Sequence, residues 1–129
     1  MSEVFKIPVD PTPQEMNQCL IVCANNIARV QEIVSEYKAN VAIKQTAYKR
    51  AMAKALVLHQ GEKNATLTKA MAELEQFVIE ALDELDQCNA VYTVALGELD
   101  GWEAQFVALR KIAEIKKMEV QGRLDSYVT

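Results

Sequence analysis

A single histidine, three cysteines and a dense set of carboxylates are the residues of this chain that could carry chemistry. His59 stands alone, so no paired-histidine metal site can form, and no serine or cysteine has an obvious histidine and carboxylate to orient it as a nucleophile. Cys19 and Cys23 lie one helical turn apart and could share a soft metal, but no second pair completes four ligands. The carboxylates Glu73, Glu75, Glu80, Asp83, Glu84 and Asp86 lack the Glu-x-x-His pattern of a di-metal bundle, and a solvated helix face accounts for them. No glycine-rich phosphate loop is present. The expectation is a protein that is not an enzyme, with no cofactor and no metal.

The elements that position these residues are helices. Gly occurs 4 times and Pro 3 times in 129 residues, and two of the prolines (Pro8 and Pro11) fall in an arm, residues 1–11, expected to be loosely ordered. Thr12-Pro13-Gln14-Glu15 then reads as a helix start: a Thr cap, Pro at the first helical position and Glu three residues after the cap. From Met16 a step of alternately four and three residues reaches Leu58 through 13 positions, 12 of them apolar; Lys44 is the exception. Gln60-Gly61-Glu62-Lys63-Asn64 interrupts the series, with Gly61 placed for positive φ and Asn64 or Thr66 placed to cap the next helix. From Leu67 the same step reaches Val120 through 16 positions, 15 of them apolar.

These patterns predict an all-α fold in a single domain, residues 1–129. Two long antiparallel helices (about 13–60 and 65–125) form a coiled-coil-like hairpin. The alternative is three helices with a break near residues 97–101, where Gly97 and Gly101 interrupt the second run. Tyr37, Tyr48, Tyr92, Trp102 and Phe106 fall on the seams, which assigns them to the core rather than to base stacking. Cys19 and Cys23 lie on or beside the seam as core thiols. Apolar residues flanking the seams, such as Ile33, Met52, Phe77 and Val91, make a stripe too wide for an isolated hairpin, so a homo-oligomer is expected. No apolar run approaches the roughly 18 residues of a membrane span, and Met1–Lys6 has no signal-peptide pattern; a cytoplasmic protein with no membrane partner is expected.

Charge is unevenly distributed. Residues 37–72 carry seven Lys or Arg against Glu62, a net +6; residues 73–104 carry nine acids and no base, a net −9; residues 105–123 return to +3. A fold at residues 61–65 makes the hairpin tip basic although the chain is −4 overall, and such a tip could hold a polyanion by neutralising phosphates. The same blocks would equally serve as a solvated face or match an acidic segment of a neighbouring subunit.

Tyr48-Lys-Arg-Ala-Met-Ala-Lys-Ala-Leu56 before the turn, Thr68-Lys-Ala-Met-Ala-Glu-Leu74 after it, and the endings Leu109-Arg110 and Met118-Glu-Val-Gln-Gly-Arg123 complete the layout. Over most of residues 12–123 it resembles a group of small helical bacteriophage proteins similar in plan to the UvsY-type recombination mediators. The resemblance implies single-stranded DNA binding and assistance to a recombinase on strands covered by single-strand-binding protein, in the host cytoplasm. Lys49, Arg50 and Lys54 would be the DNA contacts, joined by Lys44 and Lys63. The rival expectation is a structural or adaptor coiled-coil protein, a virion component or a chaperone, with no nucleic-acid binding.

Overall fold

The computed structural model of the chain describes residues 7–128, with side chains through residue 123. Every regular element among them is helical: α1 (Pro13–Leu58), α2 (Ala65–Glu73) and α3 (Gln76–Val128). Residues 1–6 of the expected N-terminal arm lie outside the described part. None of the described helices is long and apolar enough to cross a membrane.

The start of α1 follows the capping pattern. The Glu15 amide donates to Thr12 Oγ1 at 3.1 Å, and the Thr12 amide donates back to Glu15 Oε1 at 3.4 Å. Asn64 caps α2: its backbone is extended (φ −151°, ψ 165°) and its side chain accepts the Leu67 amide at 2.8 Å. Gly61 departs from expectation, because no described residue has positive φ. The chain leaves α1 by short-range turns instead, with the Gln60 amide on the Val57 carbonyl and the Glu62 amide on the His59 carbonyl.

The chain forms two compact units. Unit 1 combines residues up to Gln31 with Glu98 onward; unit 2 is Glu32–Gly97. In unit 1 the buried residues Met16, Cys23 and Leu109 form a cluster flanked by Ile7, Leu20, Trp102 and Phe106. Its helices run antiparallel, because Asp10 pairs with Lys116 while Arg29 pairs with Glu98 at 3.9 Å. Lys116 hydrogen-bonds the Asp10 carboxylate and holds its pKa below the ordinary value. Pro11 is buried beside this contact. Burial pushes the Cys23 thiol up in pKa, with Cys19 one turn away adding to the shift, as fits a core thiol.

In unit 2 the buried cluster is Ala55, Ala72 and Val78, with Tyr48, Ala51, Met52 and Phe77 packed on it. Here the expected 65–125 helix is divided. The number of helices is three, as in the alternative, but the break lies at Leu74–Glu75, and α3 runs unbroken through Gly97 and Gly101. Neither glycine meets another atom within 4 Å of an added Cβ, so nothing in the fold requires a glycine at either place. At the break, the Leu74 and Glu75 amides reach only three residues back, to Met71 and Ala72, and the Glu75 carbonyl then accepts from Val78 and Ile79 to start α3. The expected seam also slips. Met71 and Leu74 are turned outward, Leu74 to 72% exposure, while Ala72 is fully buried in their place. From Val78 to Lys116 the positions on the expected step are buried or half-buried, with Val78 and Ala95 buried in unit 2 and Leu109 in unit 1, while Val120 is exposed.

This packing predicts unequal costs for two leucine truncations. Leu109→Ala, in the buried cluster, should cost about 2–5 kcal/mol, whereas Leu74→Ala should stay within about 0.5 kcal/mol. Urea unfolding followed by circular dichroism measures both.

Candidate nucleic-acid interface

The turn end of unit 2 is built by the last turns of α1, the 59–64 connection, α2 and the first turns of α3. Its brace is a contact between His59 Nε2 and Glu75 Oε1 at 2.7 Å, both side chains partly buried. His59 follows the end of α1 and Glu75 sits in the α2–α3 break, so one hydrogen bond ties the two irregular points of the unit together. A second link crosses from α1 to α3: Lys54 Nζ lies 5.2 Å from the centre of the Phe77 ring. A cation on an aromatic face at such an exposed place contributes about 0.5–1 kcal/mol.

The five expected contact residues do not share one environment. Lys44 occupies the seam, half-buried, and donates to Glu84 Oε2 at 3.0 Å. That hydrogen bond, reinforced by the charge of Glu84, raises the Lys44 pKa above the ordinary lysine value. Lys44 is therefore engaged within the unit. Lys49 and Arg50 are exposed on the outer side of α1, and Lys63 is exposed in the connection. Among the described residues none of these three has a carboxylate partner. Lys49, Arg50 and Lys54 fall within six residues of one helix, an axial span of roughly 7.5 Å. Lys38 and Lys69 are also exposed in unit 2, and they belong to the basic block read from the sequence.

Two features of this end have weaker sequence signals. The His59–Glu75 brace joins a lone histidine to one of six neighbouring acids, and nothing in the spacing selects Glu75. The cations also share the turn end with exposed apolar side chains: Val57 and Leu58 stand at 64% and 60% exposure, and Leu56, Leu67 and Met71 are also exposed. The aromatic residues do not form a stacking surface here; Tyr48 and Phe77 are half-buried against the Ala55 cluster. Contact with a polyanion at this end would be through phosphates.

No cluster of three or more His, Cys, Asp or Glu side chains suited to a metal ion occurs among the described residues. Comparison with known proteins finds no matching family model, no matching curated protein and no matching solved structure.

The Lys44–Glu84 pair gives a pH signature. Lys44 has its pKa raised in the folded chain, so its contribution is complete below the ordinary lysine value and is lost as pH rises through the folded value. Glu84→Gln should lower the melting temperature slightly, the pair being exposed. The difference from the parent chain should hold through neutral pH and close above about pH 10.4, as read by thermal melts across a pH series.

Proposed function

We propose that this chain is a non-enzymatic recombination accessory protein of bacteriophage type, which holds single-stranded DNA at the basic turn end of unit 2 and assists a recombinase in the host cytoplasm. The observation that carries the reading is the state of Lys49, Arg50 and Lys63: exposed, close to the turn, and without a carboxylate partner among the described residues. Cations already held by acids gain little from a phosphate, because binding must first break the existing pair. Unpaired ones release only water and counterions. Lys54 joins them, since a cation over a ring keeps much of its surface available. Lys44 is left out of the strand contact, being occupied by Glu84.

The resemblance of the segments around the turn to UvsY-type mediators supports the choice of single-stranded DNA among polyanions, and of a recombinase or single-strand-binding protein as the protein partner. The helical hairpin expected from the heptads, associating with further copies of itself, is the frame of this reading. Self-association would cover apolar residues such as Ile43, Val94 and Ile115, which are 63%, 73% and 56% exposed.

A structural or adaptor role is the second reading. It is favoured by the apolar side chains that surround the cations at the turn end, a surface suited to protein contact.

Titration of labelled oligo-dT against salt separates the two. Strand binding should weaken steeply with salt, the slope falling by about 0.7 for each phosphate contact removed. The combined change Lys49→Ala, Arg50→Ala, Lys54→Ala should abolish binding with helicity unchanged, while Lys44→Ala should leave affinity within about twofold of the parent, a change of under roughly 0.5 kcal/mol. An absence of binding at low salt would favour the adaptor reading.

A further inference from the structure

Unit 2 separates its charges by helix. Between residues 37 and 58, α1 carries five bases and no acid; between residues 76 and 97, α3 carries four acids and no base. Across the seam only Lys44 and Glu84 form an ion pair. Of the remaining charges, Lys54 lies over the Phe77 ring, while Lys49 and Arg50 stand on the outer face of α1 and Glu80, Asp83 and Asp86 on that of α3. On α1 that face shows Ala39, Ala42, Ile43, Thr46, Lys49 and Arg50, all exposed, and a shallow depression runs along it beside Ile43 and Arg50. On α3 it shows Ile79, Glu80, Asp83, Asp86, Ala90 and Val94, again all exposed. Among the described residues, Asp83 and Asp86 have no cationic partner, and the one side chain that hydrogen-bonds Glu80 is Gln76, at 3.2 Å.

We propose that these two faces dock on each other between copies, the outer face of α1 in one chain receiving the outer face of α3 in the next. Charge complementarity selects the second copy as occupant: each face is a small apolar strip edged by charge of one sign, and the chain carries both signs. The heights also agree. Lys44 meets Glu84, and Asn40 lies beside Gln87 and Cys88, so Lys49 and Arg50 stand about level with Ile79 and Glu80 along the unit. A neighbour set alongside in the same orientation brings Lys49 and Arg50 to its Glu80 and Asp83, and Ala39 and Ile43 to its Gln87 and Ala90. Alanines allow the helices to approach closely. Each copy has one face of each kind, so the contact is head-to-tail and propagates, as a ring where the rotation between copies closes and as a filament where it does not.

The contact itself stands on the two faces alone. Its consequence for DNA rests on the strand-binding reading, in which Lys49 and Arg50 are free of acids in the single chain: the acidic face of a neighbour and a strand compete for them, so assembly lowers the affinity for a strand and keeps the basic site neutralised at rest.

Sedimentation of the full chain at low salt tests the contact. The parent should sediment as an oligomer. The double change Glu80→Lys, Asp83→Lys and the double change Lys49→Glu, Arg50→Glu should each sediment as single chains with unchanged circular dichroism. An equimolar mixture of the two variants should reassemble, because each then offers the face that the other lacks. A single-chain parent, variants that keep the parental mass, or a mixture that stays apart would each overturn the contact. Excess oligo-dT should split the parental oligomer; if the variants and their mixture behave as stated and oligo-dT leaves the oligomer whole, the strand-binding reading fails and the contact stands.

Discussion

Two helices lying side by side can bury only one stripe each, and within each unit of this chain most features follow from that limit. A core shared by two helices has no second layer, so few positions escape solvent completely. Here they are few in each unit: Cys23, Val30 and Leu109 in unit 1, and Ala55, Ala72 and Val78 in unit 2. Each fully buried side chain contributes roughly 1.5–3 kcal/mol by transfer out of water, less for alanine, so the seam must be long to stabilise the fold at all. Length in turn leaves the outer faces large, and half of this chain is hydrophobic. Apolar side chains consequently stand in solvent in both units, with Ile21 and Ile115 in one and Ile43 and Val94 in the other. A chain built this way gains by covering those faces with further protein.

Much of the local structure was legible because it depends on neighbouring residues. The Thr12–Glu15 capping box and the Asn64 cap are made from side chains three positions away from their targets, and sequence spacing reports them directly. The heptad phase after Val78 was legible for the same reason. The Leu74–Glu75 break was not. Leu74 is apolar and sits on the expected step, yet it is exposed and Ala72 is buried in its place, at a break where Glu75 is held by His59 from across the turn. That contact joins residues 16 apart, and helix propensity contains no trace of it. Gly97 and Gly101 were ambiguous for the opposite reason: local cost argued for a break, while the seam on either side of them carried the helix through. At the turn end, the sequence identified the basic block, but only the packing distinguishes Lys44, committed to Glu84, from Lys49, Arg50 and Lys63.

Electrostatics then ties the fold to the proposed activity. With one seam holding the unit together, charge is free to segregate on the faces that the seam does not use. In unit 2, residues 37–58 of α1 took the bases and residues 76–97 of α3 the acids, and Lys44–Glu84 is the ion pair that links these two segments. Such a unit presents an acidic face and a basic face at once. On the proposed reading, neighbour contact and strand contact are alternatives for the same cations, and ionic strength governs both, since exposed charges of this kind are screened within about 8–10 Å at ordinary salt.

The central claim is that this chain completes its burial with further copies of itself, and the dependence of its melting temperature on protein concentration tests that most directly. Association stabilises the folded state by mass action. The account predicts a melting temperature that climbs steadily as the protein is concentrated at low salt. A melting temperature that stays the same at every concentration would show that the folded chain stands alone, with its outer faces in water, and would contradict the account.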